Sequence, residues 1–87
     1  MTGGTTNHNE ISLNFCTNFK FAFQGENYRI YMGDVPLWIP HYRRYTYPDV
    51  MVIQVAPIYE GTGTITVTNP YLIVEVNYKI LYYLWNQ

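Results

Sequence analysis

The sequence predicts an α/β chain of α+β-like character: an N-terminal helix, a mixed four-stranded sheet and a short C-terminal helix. Three observations carry that expectation. Ile11, Phe15, Phe19, Ala22 and Phe23 recur at helical spacing and form one apolar stripe. From Tyr28 onward the pattern changes to short runs rich in β-branched and aromatic residues. Turn pairs such as Gly33-Asp34 and Asn69-Pro70 separate those runs.

The elements follow in order. Residues 1–7, with their Gly and Thr content, read as a flexible lead-in. Asn7 is a candidate helix cap, with Glu10 three positions on as the return partner of a capping box. Leu13 and Cys16 widen the apolar stripe, and Gln24-Gly25 closes the helix, which is expected over 8–24. Tyr28 to Met32 reads as a strand, and Val35 to Ile39 as a short one interrupted by Pro36, which suits an edge. Pro40 to Thr46 reads as a loop carrying His41, Tyr42, Arg43 and Arg44. Tyr47 to Val55 carries the strongest strand signal. Pro57 to Gly63 is turn-like, Thr64 to Thr68 a short ribbon or extended loop, and 71–76 a strand. Ile80, Leu81, Leu84 and Trp85 fall at helical spacing in the tail, so a short helix is expected there.

At 87 residues the chain forms at most one small domain. A chain of that length buries only about 60–65% of its unfolded surface. Cys16 is the single cysteine, so no internal disulfide forms, and no Cys/His cluster has zinc spacing. Ten Tyr, four Phe and two Trp supply large buried areas instead. Charged residues make up 13%, against about 25% in typical soluble domains. So thin a polar coat, with an open sheet edge, points to a partner such as a second copy, hence a possible homodimer. The net charge of −1 and the five cations, with only Arg43-Arg44 adjacent, speak against a broad basic nucleic-acid surface. No apolar run reaches the roughly 20 residues of a membrane span, and the N-terminus lacks the basic and apolar regions of a signal peptide. A cytoplasmic, non-membrane protein is the expectation.

Glu75 lies inside the most apolar strand, Tyr71-Leu72-Ile73-Val74-Glu75-Val76, and Asp49 opens the strand before it. A buried carboxylate costs several kcal/mol unless it is paired, protonated or metal-bound. Two carboxylates on adjacent strands are the minimal parts of a divalent-metal site. Period two puts Asp49, Met51, Ile53 and Val55 on one face, and Tyr71, Ile73 and Glu75 on one face of the next strand. If the strands pair with matching faces, the two acids converge.

Gly3-Gly4-Thr5 followed by His8, then Gly33-Asp34-Val35 with Leu37-Trp38-Ile39-Pro40, resemble the Uma-type restriction endonuclease family, abundant in cyanobacteria. Tyr45 to Val52, Thr68-Asn69-Pro70 and Leu72 to Val76 extend the resemblance, which covers roughly residues 3–76. It implies a PD-(D/E)XK nuclease core and a DNA-cleaving activity dependent on Mg²⁺ or Mn²⁺. Asp49 matches the aspartate of the family's Pro-Asp motif and Glu75 the acid of its second motif, both implied metal ligands. A hard cation takes oxygen donors and keeps several waters. The implied catalytic lysine position, two residues after the motif glutamate, holds Asn77; Lys79 with Tyr83 reproduces the lysine-to-tyrosine spacing of a downstream family helix and is the candidate in its place. Family members are about twice this long, so the chain reads as a truncated domain over 1–87. The competing expectation is a non-catalytic remnant acting only by association.

Plain readings stand beside these. Asp49 suits a turn after Pro48, and Glu75 suits a rim acid paired with Arg29 or Lys79. Glu10 caps its helix or supplies a third acid. His8 and His41 read as loop histidines, Asp34 as a turn residue and Arg43-Arg44 as a solvated pair or phosphate contact. Tyr42, Tyr45 and Tyr47 read as packing residues or a base-stacking surface.

Overall fold

The computed structural model describes residues 5–76 and 80–84. Helix α1 spans Thr6–Ala22 and is capped by Thr5, whose Oγ1 accepts the His8 N–H at 3.0 Å. Thr5 displaces Asn7 from the cap because its own backbone is extended, which aims the hydroxyl at the first helical turn. Helix therefore begins inside the expected lead-in, and Glu10 lies exposed beyond the cap. Past Ala22, Gly25 takes a φ of 87° and turns the chain away from the helix axis.

Six strands follow: β1 (Tyr28–Met32), β2 (Leu37–Ile39), β3 (Arg44–Thr46), β4 (Val50–Gln54), β5 (Leu72–Val76) and β6 (Ile80–Leu84). The larger sheet has the order β1-β4-β5-β6, and β2 pairs β3 in a separate hairpin. The class is α+β, as the sequence predicts. Every pair of these strands is antiparallel, so the expected mixed sheet is corrected; the parallel contact is an isolated bridge between Leu37 and Val67. β4 stops at Gln54 because Val55 leaves the strand with a φ of 67°, held there by its N–H to Asn27 O at 2.8 Å.

Two further expectations are corrected. Arg44 to Thr46 is not loop, since it closes a hairpin on Leu37–Ile39. The C-terminal helix is not formed over 80–84: that segment is β6, zipped to β5 from Leu72↔Leu84 to Val76↔Ile80. Helical spacing in so short a tail is a weak signal, because an isolated helix under about 12 residues is marginal. The open edge of β5 offers a full row of backbone partners, and that decides the outcome.

The larger sheet is covered on both faces. Toward α1, Cys16, Val50, Val74 and Val76 form a buried cluster, with Ile11, Phe15 and Ile30 packed against it. Burial raises the Cys16 thiol pKa, leaving it a small apolar packing group. On the opposite face Leu37, Met51, Ile53, Val67 and Ile73 form the second cluster, bringing the β2–β3 hairpin and the 57–69 excursion onto the sheet. β4 is thus the central strand, buried on both sides from Val50 to Ile53. Phe19 and Phe23 close the helix end against Tyr28, with ring centroids 5.6 and 5.5 Å away. This aromatic contact does some of the fastening that a disulfide does in other small domains.

Candidate active site

Pro48 is buried and sets the entry to β4, so Asp49 sits at the mouth of the central strand rather than within it. The β4–β5 register runs Val50↔Val74, Met51↔Ile73 and Val52↔Leu72. One step further along that register brings Asp49 opposite Glu75. The two acids singled out in the sequence therefore meet. Freed from the pleat, the Asp49 carboxylate accepts the Val76 N–H on Oδ2 at 2.7 Å, while Oδ1 lies 3.1 Å from Nε2 of His8. The acid is held from two sides, by the strand beside it and by the first turn of α1. Ser12, one turn further along the helix and buried, donates its hydroxyl to the His8 carbonyl at 3.0 Å.

Glu75 is half-buried, and its pKa is raised above the ordinary 4.5. Burial is the first cause; the negative charge of Asp49 and a hydrogen bond with it add to the rise, and His8 opposes it. The folded chain therefore holds the Glu75 proton to higher pH than the unfolded chain does. This contribution to stability is complete below the ordinary glutamate value and is lost as pH rises through the elevated folded one. Glu75→Gln is expected to raise the thermal midpoint at neutral pH while having little effect near pH 4.5. Melting both proteins across that range tests the point, and a difference independent of pH contradicts it.

Beside these groups lies a cleft of about 320 Å³ lined by His8, Asn9, Ser12, Met32, Asp34 and Asp49, among others. Two carboxylates sharing a proton next to an imidazole can accept a cation or exchange protons with a ligand. The family described as "Uma2: Putative restriction endonuclease" matches residues 1–79 of this chain. The chain belongs to the Uma2 family.

An uncharacterized protein of Synechocystis sp. is 37% identical over 76 residues, covering 87% of this chain and 43% of the relative. The chain thus spans less than half the length of the curated relative it matches. No solved structure matches it.

Asp49 and Glu75 come together at the β4–β5 boundary. Other candidates fall elsewhere. Arg29 does not pair with Glu75: its Nε donates to the Val55 carbonyl at 2.9 Å, across the β1–β4 ladder. Lys79 lies outside the described residues. His41 stacks edge-on to Tyr42 in the β2–β3 turn, 4.9 Å between centroids. His8 is the residue that sequence reasoning missed. Its signal was its place in the Gly3-Gly4-Thr5…His8 motif, which the loop reading of that histidine set aside. Among the described residues no group of three His, Cys, Asp or Glu side chains is arranged to hold a metal ion. No helix among the described residues is long and apolar enough to cross a membrane.

Proposed function

We propose that this Uma2 chain carries the metal-binding half of a DNA endonuclease site, with Asp49 and Glu75 as the ligands of one Mg²⁺ or Mn²⁺ ion. The observation that carries the reading is the electrostatics of the pair. Two carboxylates face each other at a strand mouth, where burial first, and then repulsion from the Asp49 charge, raises the Glu75 pKa. A divalent cation removes that repulsion, and the donor chemistry suits a hard ion that takes one or two carboxylates and fills its other positions with waters and phosphate oxygens. Membership of a family described as restriction endonucleases supports DNA as the substrate class and phosphodiester hydrolysis as the reaction class.

Each residue then has a part. Asp49 presents one oxygen donor in a fixed orientation, because the Val76 N–H and the His8 imidazole both point at its carboxylate. Glu75 would present the second as a deprotonated carboxylate. Ser12 fixes the backbone at His8 and so the position of the imidazole. When bound, the cation polarises a phosphate oxygen and acidifies a water. Lys79 is the candidate cation for orienting that water.

Calorimetric titration of the folded protein with Mn²⁺ or Mg²⁺ tests the assignment. Saturable binding with release of protons is expected near the pH at which Glu75 is still partly protonated. Glu75→Gln should weaken binding by about tenfold or more. Absence of binding to folded protein favours a non-catalytic remnant of the fold.

A further inference from the structure

The β2–β3 hairpin has a chemistry unlike the rest of the molecule. Residues 35–48 contain no Asp or Glu, yet carry Arg43 and Arg44, two of the five cations in a chain of net charge −1. Neither guanidinium has an ion-pair partner among the described residues. Arg43 sits in the turn with a φ of 51°, its N–H bonded to the Pro40 carbonyl at 3.2 Å, so the tip is a defined turn. Tyr42, Tyr45 and Tyr47 stand beside the cations, 69%, 52% and 48% exposed. Trp38 lies across the ladder from Tyr45 with ring centroids 4.8 Å apart, and braces it. The base of the hairpin is anchored by Leu37, fully buried in the core. Thr46 is followed three residues later by Asp49, so this base lies within about 11 Å of contour length of the acid pair.

Exposed rings with unpaired cations between them, on a hairpin arm cleared of negative charge, match the face and backbone of an unpaired nucleotide strand. Phosphates neutralise guanidinium groups, and every base offers a π-face to a ring. A duplex hides those faces. We propose that this hairpin is a binding arm for single-stranded DNA, in which Arg43 and Arg44 contact phosphates while Tyr42, Tyr45 and Tyr47 stack on bases. The inference rests on the nuclease reading only for its direction, since the arm leads a bound strand toward Asp49.

The test uses the whole chain in EDTA, where neither metal binding nor cleavage contributes. Fluorescence anisotropy with a labelled oligo-dT of about 12 nucleotides, within the usual site size of one binding module, is expected to give saturable binding stronger than to a duplex of equal length. Tyr42→Ala should weaken it about tenfold, and Tyr42→Phe, which keeps the ring, should restore it. Arg44→Ala should lower the slope of log affinity against log salt by about 0.7. Tyr42 and Arg44 are exposed, so unchanged melting curves accompany these effects. No saturable binding, tighter binding to duplex, a marked preference for oligo-rU, or equal affinity in Tyr42→Ala overturns the arm. Binding that persists in a protein unable to take up Mn²⁺ leaves the arm standing and removes the nuclease reading. Mn²⁺ uptake without oligonucleotide binding does the reverse.

Discussion

Asp49→Asn is expected to abolish metal-dependent nicking of supercoiled plasmid by this protein while leaving the fold intact. The amide keeps an oxygen for the Val76 N–H, which the native carboxylate accepts at 2.7 Å, so no buried donor is orphaned. It loses the charge that, under the proposed assignment, would hold a divalent cation beside Glu75. Losing the cation withdraws several kcal/mol of transition-state stabilisation, and each ~1.4 kcal/mol is tenfold in rate, so a drop of roughly three orders of magnitude is the expectation. Asp49→Ala should lose activity equally but also melt earlier, because the Val76 N–H then has no acceptor, at a cost of about 1–3 kcal/mol. Relief of the repulsion on Glu75 offsets part of that cost. Plasmid nicking in Mg²⁺ or Mn²⁺, run beside thermal melts of all three proteins, separates the two effects. Nicking that survives in Asp49→Asn ends the metal-ligand assignment for that residue.

The second large effect belongs to the fold. Leu37→Ala should destabilise the protein by about 3 kcal/mol, because it empties the centre of the core cluster formed with Met51, Ile53, Val67 and Ile73. Leu37 is wholly inaccessible to solvent and is the residue through which the β2–β3 hairpin grips the sheet. For a chain of this size that corresponds to a fall of about 12–24 °C in the thermal midpoint. Total stability in domains this small is about 5 kcal/mol, so the variant should be partly unfolded at physiological temperature. Ile65→Ala is the matched control: Ile65 is 69% exposed, and its truncation should stay within about 0.5 kcal/mol of wild type. Circular-dichroism melts decide the matter. A Leu37→Ala midpoint close to that of the control contradicts the two-faced core.

Some of this architecture is legible in local pattern. The stripe from Ile11 to Phe23 specifies α1, because a period of 3.6 over four turns has few other readings. The runs at 28–32 and 71–76 specify β1 and β5 almost to the residue. Asp49 and Glu75 stand out for the same reason: an acid at the edge of Val50-Met51-Val52-Ile53 and another between Val74 and Val76 conflict with their surroundings unless something binds them.

What failed to show in the sequence depends on contacts between distant segments. Ile80 to Leu84 has the spacing of a helix and the composition of a strand, and only the unfilled edge of β5 chooses between them. Arg44 to Thr46 looks like loop until Leu37–Ile39 is beside it. His8 has no chemical neighbour within its own helix that marks it, and becomes notable only where α1 crosses the mouth of β4 and Asp49 comes within 3.1 Å. By itself the sequence determined the helix, the strand periods and the two acids at odds with their apolar settings, because those are one-dimensional properties of spacing and side-chain polarity. Tertiary structure alone decided that the acids face one another, that an imidazole holds one of them, and that the tail completes a sheet. Those outcomes depend on which surfaces are left unsatisfied once the rest of the chain has packed.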